Sequence, residues 1–355
     1  MIRLAKPWIG EDEQRAVAAV LESGQLVQGP LVERFEHAVA ALVGRKHAVA
    51  VSSGTAALQL ALKVLQVGHG DEVLCPALSW PSPAHAARMA GAKVQFVDVD
   101  EDEWNSTAEA FLAARTADTK VAIVIDQFGN PARAAEIREA LGALPIIEDA
   151  ACALGSRFPN GPCGSFGAVS CVSFHPRKIL TTGEGGMCLT DDEDIAEKLR
   201  MLRNHGQLRG QFVVAAGNFR MTEMAAALGL AQLKRLHEIV VRRRELAALY
   251  REVLDGQVRL QQTPEGAESN YQTLGAILPH GHDRNSVRDT LAERGVETGV
   301  LSFAIHKLGS FAGSQAALPI AEHVAARGIA LPLYPQMRNA EVEQVSLTLR
   351  GVLHD

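Results

Sequence analysis

Apolar side chains recur at helical spacing from Glu11 to Leu21 and from Leu31 to Val43, which predicts two opening helices. The first begins Glu11-Asp12-Glu13, acids where a helix dipole favours them. Short apolar runs follow at Ala48 to Val51, Glu72 to Cys75, Val94 to Val97, Val121 to Ile125 and Ile146 to Ile147. Helix-length segments separate them, among them Thr55 to Leu65, Pro83 to Ala90 and Pro131 to Leu141. Strands alternating with helices predict βαβ units and a mostly parallel sheet covered on both faces. Two further strand candidates, Ala168 to Phe174 and Gly186 to Thr190, flank a loop that would open at the sheet edge facing a crevice.

A helix from Ile195 to Leu202 comes next, and a long one from about Thr222 to Leu254 links to a smaller unit. The Arg242-Arg243-Arg244 triplet on it reads as a solvated face. Beyond Gly256 the pattern changes to a strand near Tyr271 to Leu278, a helix from Ser286 to Glu293, a strand at Val296 to Val300 and closing helices after Pro319 and Asn339. The expected organisation is therefore a large α/β domain over residues 1–235 and a smaller α+β domain over residues 236–355. No fixed-period repeat or low-complexity tract suggests a solenoid or a disordered tail.

Composition narrows the class without naming a chemistry. A chain of 355 residues, 47% hydrophobic and 21% charged, with mean hydropathy near zero, is that of a globular enzyme of about two domains, expected in the cytoplasm. A formal charge of -6 disfavours non-specific binding to nucleic acid. Cys75, Cys152, Cys163, Cys171 and Cys188 form no CxxC pair, so neither a disulfide framework nor a zinc site is expected. The opening Met1 to Trp8 lacks the apolar core of a signal peptide, and no long apolar run suggests a membrane span.

Three groups carry candidate chemistry. Lys178 lies in Ser173-Phe174-His175-Pro176-Arg177-Lys178, followed by Gly183-Glu184-Gly185-Gly186, where glycines permit close backbone approach. Glu148-Asp149 closes an apolar strand, so one carboxylate should project at the C-terminal edge of the sheet, where open α/β proteins hold ligands. Ser52-Ser53-Gly54-Thr55 ends another strand and opens a helix, a turn that aims N–H groups and hydroxyls at one point suited to phosphate. A lysine, an acid and a phosphate turn in this order point to pyridoxal phosphate (PLP). That cofactor needs an amine for its aldehyde, an acid to keep its ring nitrogen protonated and donors for its phosphate.

The chain resembles the DegT and StrS group of sugar-nucleotide aminotransferases, within the fold-type I pyridoxal phosphate enzymes. The likeness runs along nearly its whole length. It is carried by Gly24-Gln25-Leu26-Val27-Gln28-Gly29-Pro30, Ser52-Ser53-Gly54-Thr55-Ala56-Ala57-Leu58, Gly70-Asp71-Glu72-Val73 and Phe96-Val97-Asp98-Val99-Asp100. Glu148-Asp149-Ala150-Ala151, the Ser173 to Lys178 run, Arg203-Asn204-His205-Gly206 and Gly217-Asn218-Phe219-Arg220-Met221 continue it.

The resemblance implies a role for each matched position. Lys178 would be the Schiff-base lysine and proton shuttle, Asp149 the acid on the pyridine nitrogen, and Ser53, Gly54, Thr55 and Ser173 the phosphate cradle. Trp80 would stack on the ring, and Asn218 would reach the phosphate of the neighbouring subunit in a homodimer. Cys152 stands beside the cofactor's phenolic oxygen, where the family has a glutamine or another polar group. Asp126 and Arg133 replace the family's histidine and aspartate around Phe128-Gly129. His306 falls in a segment that meets substrate, although Thr298 to His306 follows the family pattern loosely.

The implied reaction takes an amine from L-glutamate, leaves pyridoxamine phosphate (PMP) and delivers the amine to a keto sugar on a nucleoside diphosphate. Amination of a free cyclic ketone, an inosose, is an alternative, as is a cofactor-binding regulatory protein without turnover. The sugar C3-dehydratases of the same fold carry a histidine where Lys178 stands. A dinucleotide-binding oxidoreductase is disfavoured because no G-x-G-x-x-G opens a helix after the first strand.

Overall fold

The computed structural model describes residues 1–313 and 316–354. Its large sheet has seven strands in the order His47–Val51, Gly186–Thr190, Val169–Ser173, Ile146–Asp149, Thr119–Ile125, Glu72–Pro76 and Lys93–Val97. Gly186–Thr190 runs antiparallel to both neighbours, and the pairings among the other strands are parallel. The central strands are apolar on both faces, with Val121, Ile123 and Ile147 in one core cluster and Ala122, Val124 and Ile146 in another. A sheet covered on both sides requires such continuous apolar runs.

The two opening helices are Glu11–Ser23 and Pro30–Val43, and each is stopped by a glycine in the left-handed conformation, Gly24 and Gly44. The single helix expected from about Thr222 to Leu254 is two, Glu223–Leu233 and Leu236–Val253. The break falls at Lys234-Arg235, where the Arg235 guanidinium lies over the Trp8 ring at 5.1 Å and 3.5 Å from Glu13. The first helix packs against both opening helices, and the second packs against the closing helix Asn339–His354. The second helix itself spans both cores, with Leu236, Ile239 and Val240 in the larger domain's core and Leu246, Ala247 and Tyr250 in the other. The helix Ala108–Ala114, capped by Thr107, had no counterpart in the periodicity reading.

A second sheet of four strands, ordered Arg259–Leu260, Leu274–Ile277, Gly328–Leu331 and Gly299–Val300, packs with Leu246, Tyr250, Val345 and Leu349 into its own core. Ile2 belongs to that same core and bridges to Val296. The arginine triplet is not a solvated face. Arg243 is buried and donates to the carbonyls of Tyr271, Gln272 and Leu333, while Arg242 reaches Met337 O and Arg244 reaches Ser269 O. The planar guanidinium supplies more donors than neighbouring side chains could, so buried carbonyls draw it inward. Among the described residues no helix is long and apolar enough to cross a membrane.

Candidate active site

Strand register gathers the candidate residues at one edge of the large sheet. Val51 pairs with Gly186, Gly186 pairs with Ser173, and Asp149 pairs with Cys171 in the next strand. Four successive strands therefore deliver the Ser52-Ser53-Gly54 turn, the glycine run, the lysine loop and Asp149 to the same end. His47–Val51, Val169–Ser173 and Ile146–Asp149 bring their C-terminal ends there, and the antiparallel Gly186–Thr190 brings its N-terminal end.

The phosphate-type turn is built by a helix start. Ser53 caps the Gly54–Val64 helix by accepting from Ala56 N at 3.1 Å, and the N–H groups of Gly54 and Thr55 have no acceptor within the helix. A Cβ on Gly54 would meet Ser173 Cβ at 2.8 Å, and one on Gly186 would meet Ser53 O at 2.3 Å. Glycine at these two positions is a requirement of close approach. The contact from His175 N to Ser173 Oγ is long, 3.5 Å, so this hydroxyl keeps capacity for another partner. Thr55 Oγ1 reaches Ser82 Oγ at 3.0 Å, which holds the Trp80 loop beside the turn. Trp80 is 66% exposed, with one edge against Phe303 at 5.7 Å, leaving most of the indole open.

The two adjacent acids differ in their partners. Glu148 is consumed inside the protein, accepting from Gly164 N, Phe166 N, Gly167 N and Ser170 Oγ. Asp149 is buried, and burial pushes its carboxyl up to about 6 against the opposing pull of Lys178. Its Oδ1 accepts from Ala151 N at 3.1 Å. Asp126, behind it, is raised well above the usual carboxylate range by burial and by Glu148, and its Oδ1 takes Ala132 N at 2.8 Å.

Lys178 lies in the turn after Ser173, its backbone N–H donating to His175 O at 2.8 Å. Its Nζ stands 3.0 Å from Cys152 Sγ. Asn218 is exposed, bridged to Asn204, and follows a hairpin, Gln207–Leu208 with Gln211–Phe212, whose Phe212 is 72% exposed. His306 does not join the group. Its imidazole is buried, with Nε2 3.0 Å from Glu322 Oε1 and the ring 6.0 Å from Phe96.

Two positioning residues escaped the sequence reading. Asn270, fully buried, donates through Nδ2 to Cys152 O and Leu154 O, each at 2.9 Å. Gln272 Nε2 holds Arg177 O at 2.6 Å. Both come from the loop that enters the strand Leu274–Ile277 of the second sheet, and they brace the turns that carry Cys152 and Lys178. The polar run Ser269-Asn270-Tyr271-Gln272 before an apolar strand was the available signal.

Amine, buried acid and phosphate-type donors thus occur together, the set that pyridoxal phosphate requires. The family model for the DegT/DnrJ/EryC1/StrS aminotransferases matches residues 7–350. The aminotransferase TlmJ of Streptoalloteichus hindustanus is similar at 33% identity over 100% of this chain and 99% of that one, with a TM-score of 0.94. DesV of S. venezuelae, solved with a ketimine intermediate, gives 32% identity over 97% and 94% of the two chains and a TM-score of 0.92. Spr1654 of Streptococcus pneumoniae, described as a sugar aminotransferase and solved in its PMP form, gives 27%, 99% and 98%, and 0.94. The chain belongs to the DegT/DnrJ/EryC1/StrS aminotransferase family and is a pyridoxal-phosphate-dependent transaminase of fold type I.

Proposed function

We propose that this transaminase moves an amino group from L-glutamate to a 3- or 4-keto-deoxyhexose linked to a nucleoside diphosphate, in two half-reactions, in the cytoplasm and as a homodimer. The observation that carries the reading is the convergence of Lys178, Asp149, Ser173 and the Ser53-Gly54-Thr55 turn on one sheet edge, in a chain of this family. Pyridoxal phosphate, when bound, supplies an aldehyde that accepts the donor's nitrogen and a ring that withdraws electrons from the adjoining carbon.

Lys178 Nζ first anchors the cofactor and then takes and returns the proton at the substrate carbon. Asp149 would meet the ring nitrogen, where a cation would favour its ionised form over the neutral one. The N–H groups of Gly54 and Thr55, with the hydroxyls of Ser53, Thr55 and Ser173, hold the phosphate. Trp80 offers its open face for stacking, and Cys152 flanks the lysine. Asn218 completes the partner subunit's phosphate site; the exposed Phe212, Val213 and Val214 beside it support burial against a second copy. The division at residues 235 and 236 belongs to the same proposal; it falls at the helix break, after which Leu236, Ile239 and Val240 still pack in the first core and Leu246, Ala247 and Tyr250 in the second.

Incubation with nitrogen-15 glutamate and keto-sugar nucleotides, with mass and proton-coupling analysis of the product, tests the reading. Labelled amino sugar nucleotide is expected, with none from Lys178→Ala, and sedimentation should give a dimer. Turnover of a free inosose that added nucleoside diphosphate does not inhibit would overturn the nucleotide-linked substrate. Normal turnover and a retained yellow cofactor in Lys178→Ala would overturn the lysine assignment.

A further inference from the structure

We propose that Cys152 and Lys178 form a site of reversible oxidative modification, at which a peroxide joins the sulfur and the amine in a covalent S–N cross-link. The two atoms already stand 3.0 Å apart. Neither is adrift, since Asn270 holds Cys152 O at 2.9 Å, Asp149 holds Ala151 N at 3.1 Å, and His175 O holds Lys178 N at 2.8 Å. Backbone anchors on both sides hold the two residues opposite each other, within reach of their side chains.

Cysteine oxidation follows exposure and thiolate character. Cys152 is half-buried, whereas Cys75, Cys163, Cys171 and Cys188 are buried. Burial also pushes the thiols of Cys75, Cys163 and Cys171 up, away from the reactive thiolate. The half-buried thiol is the one with an amine at contact distance.

The chemistry balances. Peroxide transfers one oxygen to Sγ, giving a sulfenic acid and one water. The Nζ lone pair then attacks sulfur, the S–O bond breaks, and the departing hydroxide takes a proton from nitrogen as a second water. Sulfur is oxidised by two electrons and the peroxide is reduced. An external thiol reverses the link by attacking sulfur, returning the amine, and a second thiol frees Cys152 from the mixed disulfide.

The inference rests on the proposed function in one respect: a lysine joined to the cofactor's aldehyde as an imine has no N–H proton to give up, so the S–N link cannot form. PLP-loaded protein should be protected, and protein with Lys178 free should be open to the link. Cofactor-free and PLP-loaded protein would each be treated with hydrogen peroxide, digested without reductant and mapped by mass spectrometry. Borohydride reduction of a separate PLP-loaded sample would identify the lysine that carries the cofactor.

In cofactor-free protein the Cys152 and Lys178 peptides should appear joined, lighter than their sum by two hydrogen atoms. The joined species should be lost in Cys152→Ser and after dithiothreitol. Progress of Cys152 to sulfinic acid, with Lys178 in an unlinked peptide, overturns the proposal. A link that forms equally in PLP-loaded protein, with borohydride labelling another lysine, supports the cross-link and sinks the cofactor assignment instead.

Discussion

A Cβ on Gly54 would lie 2.8 Å from Ser173 Cβ and 3.2 Å from Ser173 Oγ, so the first residue of a helix and the last of a strand meet with no room for a side chain. Gly54→Ala must therefore push the two apart and spread the donors of the phosphate-type turn. Affinity for pyridoxal phosphate should fall by about tenfold or more, about 1.4 kcal/mol. Spectrophotometric titration checks this, and the Gly54→Ala, Ser173→Gly double variant should regain part of the loss; unchanged affinity in Gly54→Ala would remove the turn from the cofactor site.

Asp149 in the cofactor-free protein titrates near 6, above the ordinary 3.8 of a carboxyl, because burial disfavours its charge. A raised value means its contribution to stability is fully present below about pH 4 and is lost as pH rises towards 6. The loss amounts to about 3 kcal/mol. Cofactor-free Asp149→Asn should accordingly melt higher than the parent at pH 7, with the difference shrinking towards pH 4. Its transaminase turnover should still drop by about a hundredfold or more. Equal melting temperatures at pH 7 would show that the carboxylate bears no such strain.

Glu36 accepts Ala50 N at 2.8 Å and pairs with Arg203, which also donates to Ala50 O at 2.9 Å. This buried pair holds the strand that feeds the Ser53-Gly54 turn. Glu36→Ala leaves a buried guanidinium without its acid, and urea unfolding should report a loss of about 3–5 kcal/mol. A change below about 1 kcal/mol would mean that the arginine finds water or another partner.

Arg243 is buried among carbonyls, with no acid paired to it among the described residues, and burial pulls its guanidinium down to about 9. Arg243→Met would strand the carbonyls of Tyr271, Gln272 and Leu333, at a cost of about 3 kcal/mol. Hydrogen exchange should rise first over Ser269 to Gln272 and then in the lysine loop that Gln272 braces. Unaltered exchange in the loop would break the proposed support path.

Local order along the chain was enough to read the alternating strands and helices, the lysine loop, the acid at a strand end and the Ser-Gly-Thr helix start. Each is short-range: an apolar period, a cap, a glycine run, a strand terminus. The same information could not choose between Glu148 and Asp149 for the crevice, since adjacent residues on a strand differ only in which face they meet. The fold tells their surroundings apart, because the Gly164 to Ser170 segment returns under Glu148 and saturates it.

Pairings distant in sequence likewise belong to the tertiary structure. Asn270 on the Cys152 carbonyl, Arg243 among three carbonyls, the 3.0 Å approach of Lys178 to Cys152 and the burial of His306 against Glu322 all join segments from different elements. An arginine triplet on a helix looks solvated until buried carbonyls need its donors, and a loop histidine looks available until another helix covers it. Residue type and spacing set which chemistry this chain can perform; packing of one sheet edge against the second core decides which side chains are left free to perform it.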